Sequence, residues 1–179
     1  MRSARLRRSL VSGFRIQVSC LGPEPRSLYF KPYILYYMRT ITLIILHCSA
    51  VKPNQVSGFR EIDRWHRQRG FKYGCGYHYI VRRDGSIENG RPLEMVGAHC
   101  QDHNQHSIGI CYEGGLNANG KPADTRTDAQ KTAIRQLIER LHKQFPKALV
   151  TGHNVFNPTK ACPCFDAVKE YNESAPHSG

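Results

Sequence analysis

The 179 residues contain no apolar run long enough to cross a bilayer. A spanning helix needs about 20 apolar residues; the run from Ile41 to Leu46 is far shorter, and Arg39 interrupts its upstream extension. A secretory leader is not expected either. The start is basic (Arg2, Arg5, Arg7, Arg8), but Ser9 to Cys20 carries Gly13, Arg15 and Gln17 and makes a poor apolar segment. Acidic residues are scarce, 14 against 26 Lys and Arg, for a formal net charge of +12. Such an imbalance favours anionic partners such as nucleic acid, acidic lipid or cell wall, and does not choose among them. No nucleic-acid-binding motif accompanies it, and no internal repeat is visible. The seven cysteines (Cys20, Cys48, Cys75, Cys100, Cys111, Cys162 and Cys164) are odd in number and irregular in spacing, which does not read as a disulfide framework. A reducing compartment, with some thiols buried and one or more on a metal, fits better.

What is present is ordinary globular material, with 40% hydrophobic and 22% charged residues in a length that suits one core. Residues 1–37 differ from the rest. They hold six Arg and one Lys against Glu24 alone, with Pro23, Pro25 and Pro32 and no sustained period. Met38 is therefore the expected natural start, and residues 1–37 a basic extension, disordered or a mis-assigned start. Residues 38–172 form the expected domain and residues 173–179 a tail.

Within the domain, Ile41 to Leu46 reads as a buried strand that delivers His47. Ser57 to Gly70 reads as a helix with Phe59, Ile62 and Trp65 on one face. Gly76 to Val81 reads as a strand, joined through the turn Asp84-Gly85 to Ser86–Glu88 as a hairpin. Ser107 to Tyr112 is a further strand. Thr127 to Phe145 is the strongest helix, with a Thr127/Gln130 capping box and a stripe of Ile134, Leu137, Ile138, Leu141 and Phe145. Ala148 to Thr151 is a short strand that delivers His153, and a last helix spans Phe165 to Tyr171. Strands interleaved with helices predict an α/β fold, and the hairpin predicts a mixed central sheet flanked by helices.

His47 and His153 each follow a strand, and Cys162 comes nine positions after His153. Catalytic zinc takes three protein ligands from His, Cys and carboxylates and leaves a fourth position for water. These three side chains would meet that requirement only if their strands are neighbours, at the C-terminal edge where open α/β sheets place sites. Spacing alone leaves two readings open: a metal site, or ordinary surface histidines and buried thiols.

Several ordered stretches carry a resemblance: Leu46-His47-Cys48-Ser49-Ala50, Gly76-Tyr77-His78-Tyr79, Arg83-Asp84-Gly85, Gly97-Ala98-His99, Ser107-Ile108-Gly109-Ile110, His153 and Lys160-Ala161-Cys162-Pro163. Over about residues 38–172 the chain resembles the type-2 N-acetylmuramoyl-L-alanine amidases. That family includes the amidase-type phage lysozymes and the peptidoglycan recognition proteins. The resemblance implies cleavage of the amide between N-acetylmuramoyl residues and L-alanine in peptidoglycan, with one zinc ion per chain held by His47, His153 and Cys162. It implies active-site roles for Tyr77 and Lys160: Tyr77 donates to the oxyanion or orients the water, and Lys160 is the cation. His99, in a family motif, either lines the substrate groove or is structural. Between His153 and Cys162 the chain is one residue longer than in the phage enzymes. Asn154 stands where they often carry Arg or Glu. Glu113 receives no role.

The remaining histidines read blandly: His103 and His106 as solvated, His66 as structural. Arg64, Arg67, Arg69 and Lys72 read as a solvated helix face. The alternative function is a module of the same fold that holds muropeptide without cutting it. A contact with RNA polymerase follows from family analogy only. A monomer is expected, cytoplasmic until release to the wall by a holin-type route.

Overall fold

Three consecutive apolar residues, Ile44, Ile45 and Leu46, are at most 1% exposed. A run buried on both faces belongs in the middle of a sheet covered on each side, and that is where this strand lies. The structure, a computed structural model, describes residues 39–172. The expectations for residues 1–37, for Met38 as a start, for Cys20 and for residues 173–179 fall outside the described part.

The elements run β1 (Leu43–Cys48), α1 (Phe59–Gln68), β2 (Tyr79–Val81), β3 (Ile87–Asn89), a 3-10 turn (Asn104–His106), β4 (Ser107–Tyr112), α2 (Asp128–Gln144), β5 (Leu149–Gly152), α3 (His153–Phe156) and α4 (Ala167–Asn172). The sheet order is β3-β2-β4-β1-β5. β1 pairs in parallel with β4 and with β5, β2 pairs in parallel with β4, and the β2–β3 hairpin is antiparallel. The expected mixed α/β sheet is therefore present.

Side-chain alternation sorts the sheet into two faces. Ile44 and Leu46 of β1, Ile108, Ile110 and Tyr112 of β4 and Val150 of β5 pack in one cluster with Ile134, Leu137, Ile138 and Leu141 of α2. Ile80 and Cys111 pack with Ile62 of α1, beside Phe59, Trp65 and Tyr77. The start of α2 is fixed as expected: Thr127 Oγ1 accepts from Gln130 N at 3.1 Å, and Gln130 Oε1 accepts from Thr127 N at 3.0 Å.

Two local readings change. The strand expected from Gly76 begins only at Tyr79. The backbone at 76–78 instead bonds partly to the irregular segment 90–98, through Ala98 N to Gly76 O and Arg91 N to Tyr77 O. The chain after β5 turns directly into α3, a single turn too short to leave a period in the sequence. Among the described residues no helix is long and apolar enough to cross a membrane.

Glu113, just past β4, is only 3% exposed and anchors the loops above the sheet. Its Oε1 accepts from Ser57 N at 2.8 Å, and its Oε2 accepts from Arg82 Nε at 2.9 Å. Arg83 Nη1 approaches Oε1 at 3.0 Å. Burial pushes this carboxyl up, but the Ser57 and Arg82 hydrogen bonds outweigh it and hold it below its ordinary 4.5. A lowered folded pKa gives stability that is present above the unfolded value and lost as pH falls through the folded one. Glu113→Gln is expected to cost about 2 kcal/mol at neutral pH. The gap to wild type should close in acid, and denaturant melts at pH 7 and pH 3 check both points.

Candidate metal centre

Register brings the two histidines together. Leu46 of β1 pairs with Gly152 of β5, so His47, the next residue of β1, and His153, the first residue of α3, stand side by side. Their ring centroids are 4.7 Å apart. Cys162 arrives from the segment after α3, where Asn154 N donates to Cys162 O at 2.7 Å and Tyr112 Oη donates to Pro163 O at 2.8 Å. Gly152 permits the approach: a Cβ there would sit 2.6 Å from Pro163 Cδ.

The three ligand atoms of His47, His153 and Cys162 all lie within 4.8 Å of one another. Cys162 Sγ is 3.8 Å from His47 Nδ1. Two donors at ordinary zinc–nitrogen and zinc–sulfur bond lengths in a tetrahedron stand about 3.6 Å apart, so the donor set and its spacing fit zinc. Among the described residues this is the one such group of three.

Each of the three groups is shifted toward the protonation state a metal needs. Burial, then the neighbouring His99, His153 and Lys160, hold the His47 imidazole neutral, well below its ordinary value. Burial and Lys160 lower His153 likewise. The Cys48 thiol beside Cys162 favours the Cys162 thiolate and lowers its pKa against burial. Cys48 N also donates to Cys162 Sγ at 3.2 Å.

His47 is 1% exposed and uses its other nitrogen, Nε2, on His99 Nδ1 at 3.0 Å. His99 Nε2 in turn lies 3.4 Å from Ser107 Oγ. With Nδ1 of His47 left to a metal, the tautomer that suits the site carries its proton on Nε2 and donates it to His99 Nδ1. His99 is 9% exposed, and both of its ring nitrogens face protein groups. Gly109 leaves room for it, since a Cβ there would meet the His99 ring at 2.5 Å.

Tyr77 lies against the His47 ring with centroids 5.1 Å apart. Burial pushes its phenol well up, so it stays a donor at neutral pH. His78 is turned to other work: its Nδ1 accepts from Gly109 N at 2.9 Å and its Nε2 lies 3.0 Å from Met95 O. Lys160 is exposed, in the segment that carries Cys162, and its charge acts on all three ligands.

His66 is structural as expected, with Nδ1 accepting from Gly76 N at 2.9 Å. His103, expected to be solvated, is instead half-buried and stacked on Phe156, centroids 3.9 Å apart. The sequence reading also left Cys48 and Ser107 out of the site. Cys48 follows His47 directly, and Ser107 opens the stretch Ser107-Ile108-Gly109-Ile110; those were the available signals.

Residues 37–165 match the family described as N-acetylmuramoyl-L-alanine amidase. The chain is 42% identical over 121 residues to an endolysin of Enterobacteria phage K11, covering 68% of this chain and 79% of that protein. It is 43% identical over 123 residues to an endolysin of Klebsiella phage KP32, covering 69% and 80%. Among solved structures it is similar to the endolysin N-acetylmuramoyl-L-alanine amidase LysCS of Clostridium intestinale URNW, with TM-score 0.62, 28% identity and coverage of 73% and 79%. Family match, fold and endolysin relatives agree, and the chain belongs to the type-2 N-acetylmuramoyl-L-alanine amidase family.

Proposed function

We propose that this chain hydrolyses the amide between the lactyl group of N-acetylmuramic acid and L-alanine in peptidoglycan, with one zinc ion held by His47, His153 and Cys162. The observation that carries this reading is the convergence of those three donors, one of them a thiol with a lowered pKa, within 4.8 Å. Zinc in such a site polarises a carbonyl and makes hydroxide available near neutral pH. The chain's own residues then have distinct tasks. His99 fixes the tautomer and ring angle of His47. Tyr77 offers a phenol O–H toward the oxygen that gains charge when the amide is attacked. Lys160 brings an ammonium on the same segment as Cys162, so the fold that places the thiolate also places the cation. A donor aimed at a developing oxyanion in a partly dry site is worth more than in water. The departing alanine nitrogen needs a proton, which Tyr77 or Lys160 can hand over.

The test is digestion of purified peptidoglycan with and without a chelator, with products read by mass. Free glycan strands and intact stem peptides, lost on chelation and restored by zinc, are expected. Retention of muropeptide with no cleavage at saturating zinc would make the chain a binding module instead.

His99→Ala is expected to weaken zinc binding roughly 10–100-fold, as loss of a ligand-orienting partner does, while His99→Gln, which keeps an acceptor, recovers part of it. Competitive titration against a zinc indicator measures both. Unchanged zinc affinity in His99→Ala would return His99 to the substrate groove.

A further inference from the structure

Two thiols beside the metal centre are not among its three donors. Cys48 Sγ lies 3.8 Å from Cys164 Sγ, and both cysteines are free. Cys48 follows the ligand His47 on β1, and Cys164 lies two residues beyond the ligand Cys162. A pocket of about 210 Å³ reaches them, lined by Cys48, Ala50, Gly115, Leu116, Pro122 and Cys164 among others. Cys48 is 8% exposed, whereas Cys164 is half-buried.

We propose that Cys48 and Cys164 form a redox pair, open in a reducing compartment and closed to a disulfide outside it, that staples together the two segments carrying His47 and Cys162. The direction of the switch rests on the peptidoglycan reading, since the wall lies outside the reducing cytoplasm and thiol pairs there meet oxidising conditions. The geometry stands on its own. A disulfide needs the sulfurs at about 2.0 Å, and rotation of one cysteine between staggered wells moves its sulfur by roughly 3 Å. Cys164 Sγ now donates to Gly115 O at 3.3 Å, a bond that the rotation gives up. Cys162 is kept out of the exchange when its thiolate is committed to a metal.

The oxidant is a low-molecular-weight disulfide. The more exposed Cys164 sulfur, giving up its proton to solvent, attacks one of its sulfurs, breaks the S–S bond and expels one thiol. Cys48 then attacks Cys164 Sγ, expels the second thiol and forms the protein disulfide. Two thiol protons and two electrons leave the pair, and one oxidant disulfide becomes two thiols. The closed loop joins positions 116 apart, so the crosslink also restricts the unfolded chain strongly.

The experiment equilibrates the full, zinc-loaded chain in glutathione buffers of graded oxidised-to-reduced ratio. Free thiols are alkylated and the protein is digested and mapped by mass. Expected at the oxidising end are a Cys48–Cys164 crosslink, retained zinc, slower zinc loss to a chelator and a rise in Tm of about 5–15 °C. Cys164→Ser should keep zinc and basal hydrolysis and lose all the oxidation-dependent changes; Cys164→Ala gives the same answer if Cys164→Ser folds poorly. A glutathione adduct on Cys164 with no crosslink, a crosslink through Cys162 with loss of zinc, or no oxidation across the series would overturn the proposal. These readouts need no wall. A crosslink without wall hydrolysis sinks the amidase reading alone, and hydrolysis without a crosslink sinks the staple alone.

Discussion

Cys162→Ala is expected to lose its zinc and its activity together, falling to background in a wall-lysis assay. Among the described residues the site offers three protein donors, and Cys162 is the one that can carry a negative charge. Removing it leaves two neutral imidazoles, His47 and His153, which hold zinc far more weakly than a site with a thiolate. The fold should survive, because Cys162 is not in the fully buried set and α2 and the sheet supply the core. Metal analysis after gel filtration, with circular dichroism as the fold control, checks it. A zinc-loaded, active Cys162→Ala protein would remove this cysteine from the ligand set.

The second large effect separates catalysis from metal binding. Lys160→Ala should keep zinc at the wild-type level and lose turnover by about 10²–10³-fold, the range seen when one oxyanion-stabilising donor is removed. Its ammonium is exposed and donates no ligand atom. Tyr77→Phe should behave in the same way, since the ring still packs on His47 while the O–H is gone. If both roles are catalytic, kcat falls with KM little changed. Loss of zinc in either variant would instead make that residue a support of the ligands.

Much of this centre was legible before any coordinates, and the reasons differ by element. β4 occupies the expected Ser107–Tyr112, and α2 begins at the expected Thr127 cap, because burial patterns and capping boxes are local signals. The strand from Gly76 was read too long because the tyrosine-rich pattern does not reveal that residues 76–78 bond to an irregular loop. α3 was missed because four residues carry no period. Convergence of the ligands could not come from spacing, since Cys162 and His47 are 115 positions apart. It depends on β1 lying between β4 and β5, a non-local fact that the ordered motifs implied only through the resemblance. His99 was legible as a motif residue but not as the partner of His47, because that hydrogen bond joins β1 to an irregular segment 52 positions away.

Zinc K-edge X-ray absorption on the purified, metal-loaded protein tests the central claim most directly. Two imidazole nitrogens at about 2.0–2.1 Å, one sulfur at about 2.3 Å and a further light atom are predicted. A zinc spectrum without a sulfur shell, or with several sulfurs in place of the imidazoles, would contradict the account.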